Sequence, residues 1–157
     1  MRWFAVLGLL GVCATPTRAD VPFGWQDETF AGRIFESAPG GGALACATDG
    51  GLLFFDLGTG AFHQVSDAGC ADGRCLRSNH LTSVARDSRG RYWLGTRGGG
   101  LTLLRVEPGG FEYEHFFAAS FRRGGALLAV SVTAVAPWGD DVTYVGTLAG
   151  VAQIDLA

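Results

Sequence analysis

The chain of 157 residues contains no lysine, and this scarcity narrows the function classes open to it. All 12 basic side chains are arginines, and 15 acidic residues outnumber them, so nucleic acid is a poor partner. The glycines at 98–100 do not form a phosphate-binding loop, because no helix pattern follows them and no lysine can reach a phosphate. The four cysteines have no second pair or histidine at a ligand spacing, so we expect neither a metal nor a cofactor.

Helical periodicity and long apolar runs are also missing beyond the first residues of the chain. Short apolar stretches alternate instead with turn residues, and the 25 glycines favour many turns between strands. With 48% hydrophobic residues, the chain has enough apolar surface for one packed core. The sequence therefore predicts an all-β domain over residues 20–157.

The first 19 residues have the pattern of a secretory signal peptide. Arg2 precedes a short apolar run over residues 3–12, and small and polar residues lead to a cleavage position at Ala19. An alternative is lipidation at Cys13, although the bulky Val12 stands where a lipobox has a small residue. We expect a secreted or periplasmic protein, with no transmembrane segment after the leader.

Removal of the leader leaves three cysteines and a net charge of −5, since ten arginines then face the 15 acidic residues. Cys70 and Cys75 bracket a four-residue segment, and in an oxidising compartment we expect them to form a disulfide that stiffens an exposed loop. Cys46 stands in the register of Leu94 and Val145, which predicts a small apolar core residue rather than a reactive thiol.

Three segments of the chain share one arrangement, ACATDGGL, WLGTRGGGL and YVGTLAGV. Their threonines at 48, 96 and 147 are separated by 48 and 51 residues, an interval typical of repeat architectures. We predict three units over residues 31–66, 80–118 and 131–157, the last lacking a fourth strand. The predicted strands are 33–37, 43–48, 52–57 and 61–65 in the first unit, 81–86, 91–96, 101–106 and 111–117 in the second, and 132–137, 143–147 and 151–156 in the third.

Several of these strands are apolar on both sides, as in LLFF at 52–55 and LTLL at 101–104. Such strands need neighbours above and below, and sheets stacked about an axis supply both. We therefore predict a partial β-propeller of about three four-stranded antiparallel blades. The small residues Ala47, Gly95 and Gly146 would let a bulky ring of the adjoining sheet approach closely.

The middle unit, LTSVARDSRGRYWLGTRGGGLTLL preceded by LRSNH, resembles the two-component-regulator propeller repeat. That repeat has an Asp-x-x-Gly-x-x-Trp-hydrophobic-Gly-Thr core followed by a glycine turn and an apolar strand. The residues that match are Asp87, Gly90, Trp93, Gly95, Thr96, Gly99, Gly100 and Leu101. The third unit keeps Val135, Gly146, Thr147 and Gly150, and the first keeps little beyond Thr48, Gly50 and Gly51.

The resemblance implies an extracytoplasmic, non-catalytic ligand-sensing region of a bacterial signalling regulator, with any kinase or cyclase beyond residue 157. Three blades are too few to close a ring. We therefore expect the remaining blades from the same chain, with residues 24–30 as a closing strand, or alternatively from a second copy.

Propeller architecture implies a ligand face formed by the turns between second and third strands and by the connections between blades. On that face we expect a small molecule or glycan bearing a carboxylate or sulfate, because arginines pair with such groups. The candidate binding residues are Asp49, Asn79, His80, Arg97, Arg122 and Arg123.

The sequence offers little support for a catalytic site. His63, His80 and His115 are spread over different segments, and Glu112 with Glu114 fits an exposed strand face better than a catalytic pair. A protein-interaction scaffold and a fragment of a propeller enzyme acting on carbohydrate remain the alternatives.

Overall fold

The computed structural model describes residues 33–67, 75–117 and 129–156, and these form eleven β-strands and no helix. The predicted signal peptide at 1–19, the closing strand at 24–30, Cys70, Arg122 and Arg123 lie outside the described residues. The first sheet contains β1 (Ile34–Gly40), β2 (Ala43–Thr48), β3 (Gly51–Asp56) and β4 (Phe62–Val65). The second contains β5 (Leu81–Arg86), β6 (Tyr92–Thr96), β7 (Leu101–Glu107) and β8 (Gly110–Phe116), and the third β9 (Val132–Trp138), β10 (Val142–Thr147) and β11 (Gly150–Asp155).

Every predicted strand is present, and in each sheet the strands pair antiparallel in chain order. The largest difference is in β1, which continues three residues past the predicted end at Ser37 and includes Pro39. Proline is tolerated there because β1 is an edge strand, so its missing N–H leaves no ladder hydrogen bond unmade.

The middle sheet is buried on both faces. One face packs Val84, Leu94 and Leu104 against the first sheet, and the other packs Trp93 and Leu103 against the third. The first strands β1, β5 and β9 are neighbours in space, with β5 between the other two. Three sheets stacked face to face, with their first strands innermost, form a partial β-propeller, which confirms the predicted fold class.

Side chains join the innermost strands across the blade boundaries. The backbone N–H of Val84 donates to Glu36 Oε2 at 3.0 Å, and Thr82 Oγ1 donates to the carbonyl oxygen of Val132 at 2.6 Å. An innermost strand has one unpaired edge, so these bonds satisfy backbone groups that the sheet ladder leaves open.

In all three blades, the recurring threonine stabilises the turn that follows it through two side-chain hydrogen bonds. Thr96 Oγ1 accepts from the N–H of Gly99 at 2.9 Å and donates to the Gly100 carbonyl oxygen at 2.8 Å. Thr48 and Thr147 make the same pair of bonds within their own turns. Gly98 and Gly100 have φ of 97° and 79°, a conformation that this turn requires and that glycine adopts without strain.

Gly95 brings the second and third blades together, although not in the way the sequence predicts. A Cβ at Gly95 would lie 2.6 Å from Val132 Cγ1 and 2.2 Å from Ser83 Oγ. The prediction that a bulky ring approaches Gly95 is therefore wrong. The side chain that approaches is Val132, the first residue of β9 in the next blade. At the equivalent Gly146, the described atoms nearest to a Cβ belong to Thr133 and Ala134 of its own sheet.

Asp87, the aspartate of the matched core, is buried and organises the turn between β5 and β6. Its carboxylate accepts from Trp93 Nε1 at 3.0 Å and from Arg91 Nε at 2.7 Å, and also from the backbone N–H groups of Arg89 and Arg91. The neighbouring Ser88 and Arg91 donate to Asp140 of the third blade, and Arg89 pairs with Asp141 at 2.9 Å. The Asp87 turn thus fixes Trp93 within its blade and fastens that blade to the next.

The states of the two described cysteines, Cys46 and Cys75, agree with the sequence prediction. Cys46 is free and buried, and burial raises the pKa of its thiol, which keeps it protonated and unreactive. Cys75 is disulfide-bonded. The Cys70–Cys75 pairing stays a prediction, because Cys70 lies outside the described residues.

The contact at Gly95 predicts a size-dependent loss of stability. Gly95→Ala should lower the free energy of unfolding by about 1–3 kcal/mol, because the added methyl group overpacks the blade interface. Gly110→Ala is the matched control, since nothing lies within 4 Å of a Cβ there. Urea unfolding measures both, and the double change Gly95→Ala with Val132→Ala should lose less than the sum of its two single changes, because the two sites are in contact. Equal stability of the two single variants would contradict the contact.

Asp87 predicts a second, larger effect. Asp87→Ala should cost about 3–5 kcal/mol, because it leaves the Arg91 guanidinium and Trp93 Nε1 without their buried acceptor. Asp141→Ala, which removes only an exposed ion pair, should cost at most about 1 kcal/mol. Tryptophan fluorescence during urea unfolding compares the two, with Asp87→Asn as a milder variant where the alanine variant does not fold. A cost for Asp87→Asn no greater than that for Asp141→Ala would rule out the role we give Asp87.

Candidate functional site

A cavity of about 290 Å³ lies where the innermost strands of all three blades begin. This is the end of the sheets that carries the threonine turns, which is the face predicted for ligand binding. Residues of each blade line the cavity, namely Phe35 from the first, His80, Leu81, Thr82 and Arg97 from the second, and Ser131, Val132, Thr133 and Leu148 from the third.

Three equivalent β-bulges build the wall of this cavity. The pairing register shifts between Ile34 and Glu36 in β1, between Leu81 and Ser83 in β5, and between the partners of Thr147 and Gly146 in β9. The extra residues are Phe35, Thr82 and Thr133, and all three line the cavity. A bulge bends its strand locally and leaves the extra residue outside the ladder, which turns that side chain toward the cavity.

The sequence analysis missed the bulged residues, although a signal for them is present. Leu81 and Val84 are three residues apart and pack in one hydrophobic cluster, and Val132 and Val135 do the same in the other. In a regular strand, residues three apart point to opposite faces. Two apolar residues at that spacing therefore indicate an inserted residue between them.

Arg97 and His80 are the two predicted binding residues that the structure brings together. The backbone N–H of Arg97 donates to the His80 carbonyl oxygen at 2.9 Å, and Arg97 forms a β-bridge with Ser131. The side chain of Arg97 is exposed, and it forms no ion pair with any residue in the described ranges. Its guanidinium is therefore available to an anionic group at the cavity mouth.

Asp49 and Asn79 occupy other positions on the same face. Asp49 lies in the turn between β2 and β3, where its carboxylate accepts from the backbone N–H of Arg33 at 3.3 Å. Asn79 forms a reciprocal pair with Asp67, accepting from the Asp67 N–H at 2.8 Å and donating to its carboxylate at 2.5 Å. Neither lines the cavity, and Asn79 braces the segment that leads into the second blade.

A histidine and an arginine form a second cluster that the sequence does not reveal. His115 Nδ1 lies 3.0 Å from Thr102 Oγ1, and the Arg77 guanidinium carbon lies 4.3 Å from the Phe117 ring centroid. Burial, and then the positive charge of Arg77, lower the pKa of His115, while a hydrogen bond with the backbone of Cys75 acts the other way. The neutral imidazole therefore prevails at neutral pH, which suits a packing role better than acid–base chemistry.

Within the described ranges, no group of His, Cys, Asp or Glu side chains has the arrangement of a metal site. No helix there is long and apolar enough to cross a membrane. Glu112 and Glu114 both pair with Arg105, at 3.3 Å and 2.8 Å, so one guanidinium bridges both carboxylates on an outer strand.

Comparison with known proteins gives one kind of match. No protein-family model matches the chain, and no curated protein does. Among solved structures, the chain is similar to the extracellular domain of BT4673 from B. thetaiotaomicron, described as a putative one component system. That match has 17% identity and a TM-score of 0.60, and it covers 81% of this chain. A second structure of that extracellular domain, described as belonging to a putative hybrid two component system, has 16% identity, a TM-score of 0.59 and 78% coverage of this chain.

The chain spans about one sixth of the length of these structures, 16% and 15% respectively. At this level of identity the comparison concerns the fold. The resemblance of the middle blade to the two-component-regulator propeller repeat is confirmed at that level, because the chain shares the fold of the extracellular domains of these systems.

Proposed function

We propose that this chain is part of an extracytoplasmic ligand-sensing β-propeller of a bacterial signalling regulator, and that this part is not catalytic. The observation that carries the proposal is the propeller fold shared with the BT4673 extracellular domain. The signal-peptide pattern at residues 1–19 agrees with export. The pairing of both Glu112 and Glu114 with Arg105 and the separation of the three histidines agree with a binding role rather than a catalytic one.

The axial cavity defined by the bulges is the proposed ligand site. Its chemistry combines the Arg97 guanidinium, the Thr133 hydroxyl and the Phe35 ring. A guanidinium recognises carboxylate and sulfate oxygens in pairs, and a ring supports the apolar face of a sugar or small molecule. The proposed ligand is therefore a small acidic molecule or an acidic glycan end, such as a uronic acid.

Arg97 provides the test of this site. A soluble acidic ligand should raise the thermal midpoint of the full chain, by several degrees at 100 times its dissociation constant, since that excess contributes about 2.7 kcal/mol. Arg97→Gln should remove the part of the shift that this cavity contributes, and Arg105→Gln on the outer strand should keep the whole shift. Recovery of the ligand unchanged, measured by mass spectrometry, checks the absence of turnover. A panel of uronic acids, sulfated sugars and small carboxylates that produces no Arg97-dependent shift refutes the proposed site.

The third blade supports the proposal that more blades follow in the same chain. Trp93 is fully buried against the third blade, whereas its equivalent Tyr144 is 42% exposed. Trp138 and Val151 of the third blade are also exposed, at 73% and 71%. Gly95 receives Val132 of the next blade, whereas the described atoms nearest to a Cβ at the equivalent Gly146 belong to its own sheet. The outer face of the third blade therefore has the shape and chemistry of an interface for another innermost strand.

This face predicts how the chain ending at residue 157 behaves in solution. With its apolar outer face uncovered, it should self-associate as concentration rises, because large exposed apolar patches favour association. Tyr144→Glu with Val151→Glu should make it monomeric without loss of stability, whereas Arg105→Gln should not. Light scattering coupled to size exclusion measures this, and a wild-type chain that stays monomeric at high concentration would argue against an uncovered interface.

A further inference from the structure

A second and larger groove lies between the first and second blades, at the opposite end of the strands from the axial cavity. Its volume is about 620 Å³, within the range of small-molecule sites. The turns between β1 and β2 and between β5 and β6 form one rim, and the β3–β4 and β7–β8 turns form the other. It shares no lining residue with the axial cavity, so it is a separate site.

Aromatic rings form a continuous floor in this groove. Phe54 meets Tyr92 edge-on with ring centroids 5.1 Å apart, and it stacks on Phe111 at 6.0 Å with an interplanar angle of 3°. His63 continues the row, 6.1 Å from Phe111. Phe54, Tyr92 and Phe111 also belong to the hydrophobic cluster between the two blades, so packing holds their orientation. Phe62, 61% exposed, lines the groove beside them.

Arg86 lies at the Tyr92 end of this row of rings, in a slot that two glycines leave open. A Cβ at Gly40 would come within 2.5 Å of Arg86 Cδ, and a Cβ at Gly90 within 2.7 Å of its Nη2. The guanidinium carbon is 5.8 Å from the Tyr92 ring centroid. The absence of side chains in the turns of two different blades therefore sets the position of this one arginine.

The charge of Arg86 is not neutralised within the part of the chain that the structure describes. Arg89, Arg91 and Arg105 each pair with a carboxylate, whereas Arg86 contacts Tyr92 and pairs with no carboxylate of the described residues. Asp56 supplies the acidic group on the far rim, where its Oδ1 accepts from the backbone N–H groups of Thr59 and Gly58 at 2.7 Å and 2.9 Å. These bonds lower the pKa of Asp56 and keep it ionised. Arg86 attracts a negative group at one end of the groove, and Asp56 repels a second one at the other end. The groove therefore favours a ligand with a single negative group.

We propose that this groove binds a monocarboxylate whose body has one flat apolar face. The carboxylate pairs with the Arg86 guanidinium through two parallel hydrogen bonds, and the apolar face lies on the rings of Phe54 and Phe111. An aromatic acid and the apolar face of a sugar acid share this chemistry, so the test includes both.

Nuclear magnetic resonance titration of the full chain tests the proposal, with phenylacetate and glucuronate as probes and phenylacetamide as the uncharged match. Phenylacetate, glucuronate or both should shift the backbone amide signals of Gly40 and Gly90 saturably, and phenylacetamide should not. The tighter of the two acids identifies the body that the rings prefer. No saturable shift from either acid, or equal binding of phenylacetate and phenylacetamide, overturns the proposal.

Variants locate the site and separate it from the axial cavity. Arg86→Gln should weaken binding about tenfold or more, as expected for loss of a charged hydrogen-bond partner. Phe62→Ser should weaken it less, and Arg97→Gln, which alters only the axial cavity, should leave it unchanged. Where Arg86→Gln does not fold by tryptophan fluorescence, Arg86→Lys replaces it, since lysine keeps the charge and loses the paired geometry. Undiminished binding in the folded Arg86 variant overturns the assignment, whereas an inactive axial site leaves it standing.

Discussion

Burial of the middle sheet on both faces is the constraint on which this structure depends. A sheet with apolar side chains above and below cannot be stable with water on either side. The first and third sheets supply the two covers, so the described residues form a stack in which each blade is half of its neighbour's core. The innermost strands meet because the sheets share this stacking direction, and the axial cavity forms where those strands begin.

The fold was predictable because two simple patterns carry it. Strands apolar on both sides, as in Leu101–Leu104, indicate stacked sheets, and the threonine spacing indicates repetition. The structure gives the repetition a physical cause, since each threonine hydroxyl closes the turn after it with two hydrogen bonds. The β1 boundary was less predictable, because proline at an edge strand leaves no mark that separates strand from turn.

The site was only partly predictable, because side chains on one face choose their partners in three dimensions. His80 and Arg97 do line one cavity, whereas Asn79 is held by Asp67 and Asp49 by the backbone of Arg33. The sequence does not mark Arg86 as a site residue, since its slot is made by glycines 46 residues before it and four residues after it. Likewise, the close approach at Gly95 was predictable, but the identity of Val132 as the approaching residue depends on how the blades are rotated.

The three bulges give this architecture a separation of tasks within each innermost strand. Residues that pair in the ladder or pack between blades are held by the stack, but Phe35, Thr82 and Thr133 stand outside the pairing register. Exchanging Phe35 or Thr133 alters the opening at the axis while leaving the interfaces intact, whereas Thr82 also bonds the Val132 carbonyl oxygen across a blade boundary. A repeat array of this kind can diversify what it recognises through single substitutions at such bulged positions, with little change in its stability.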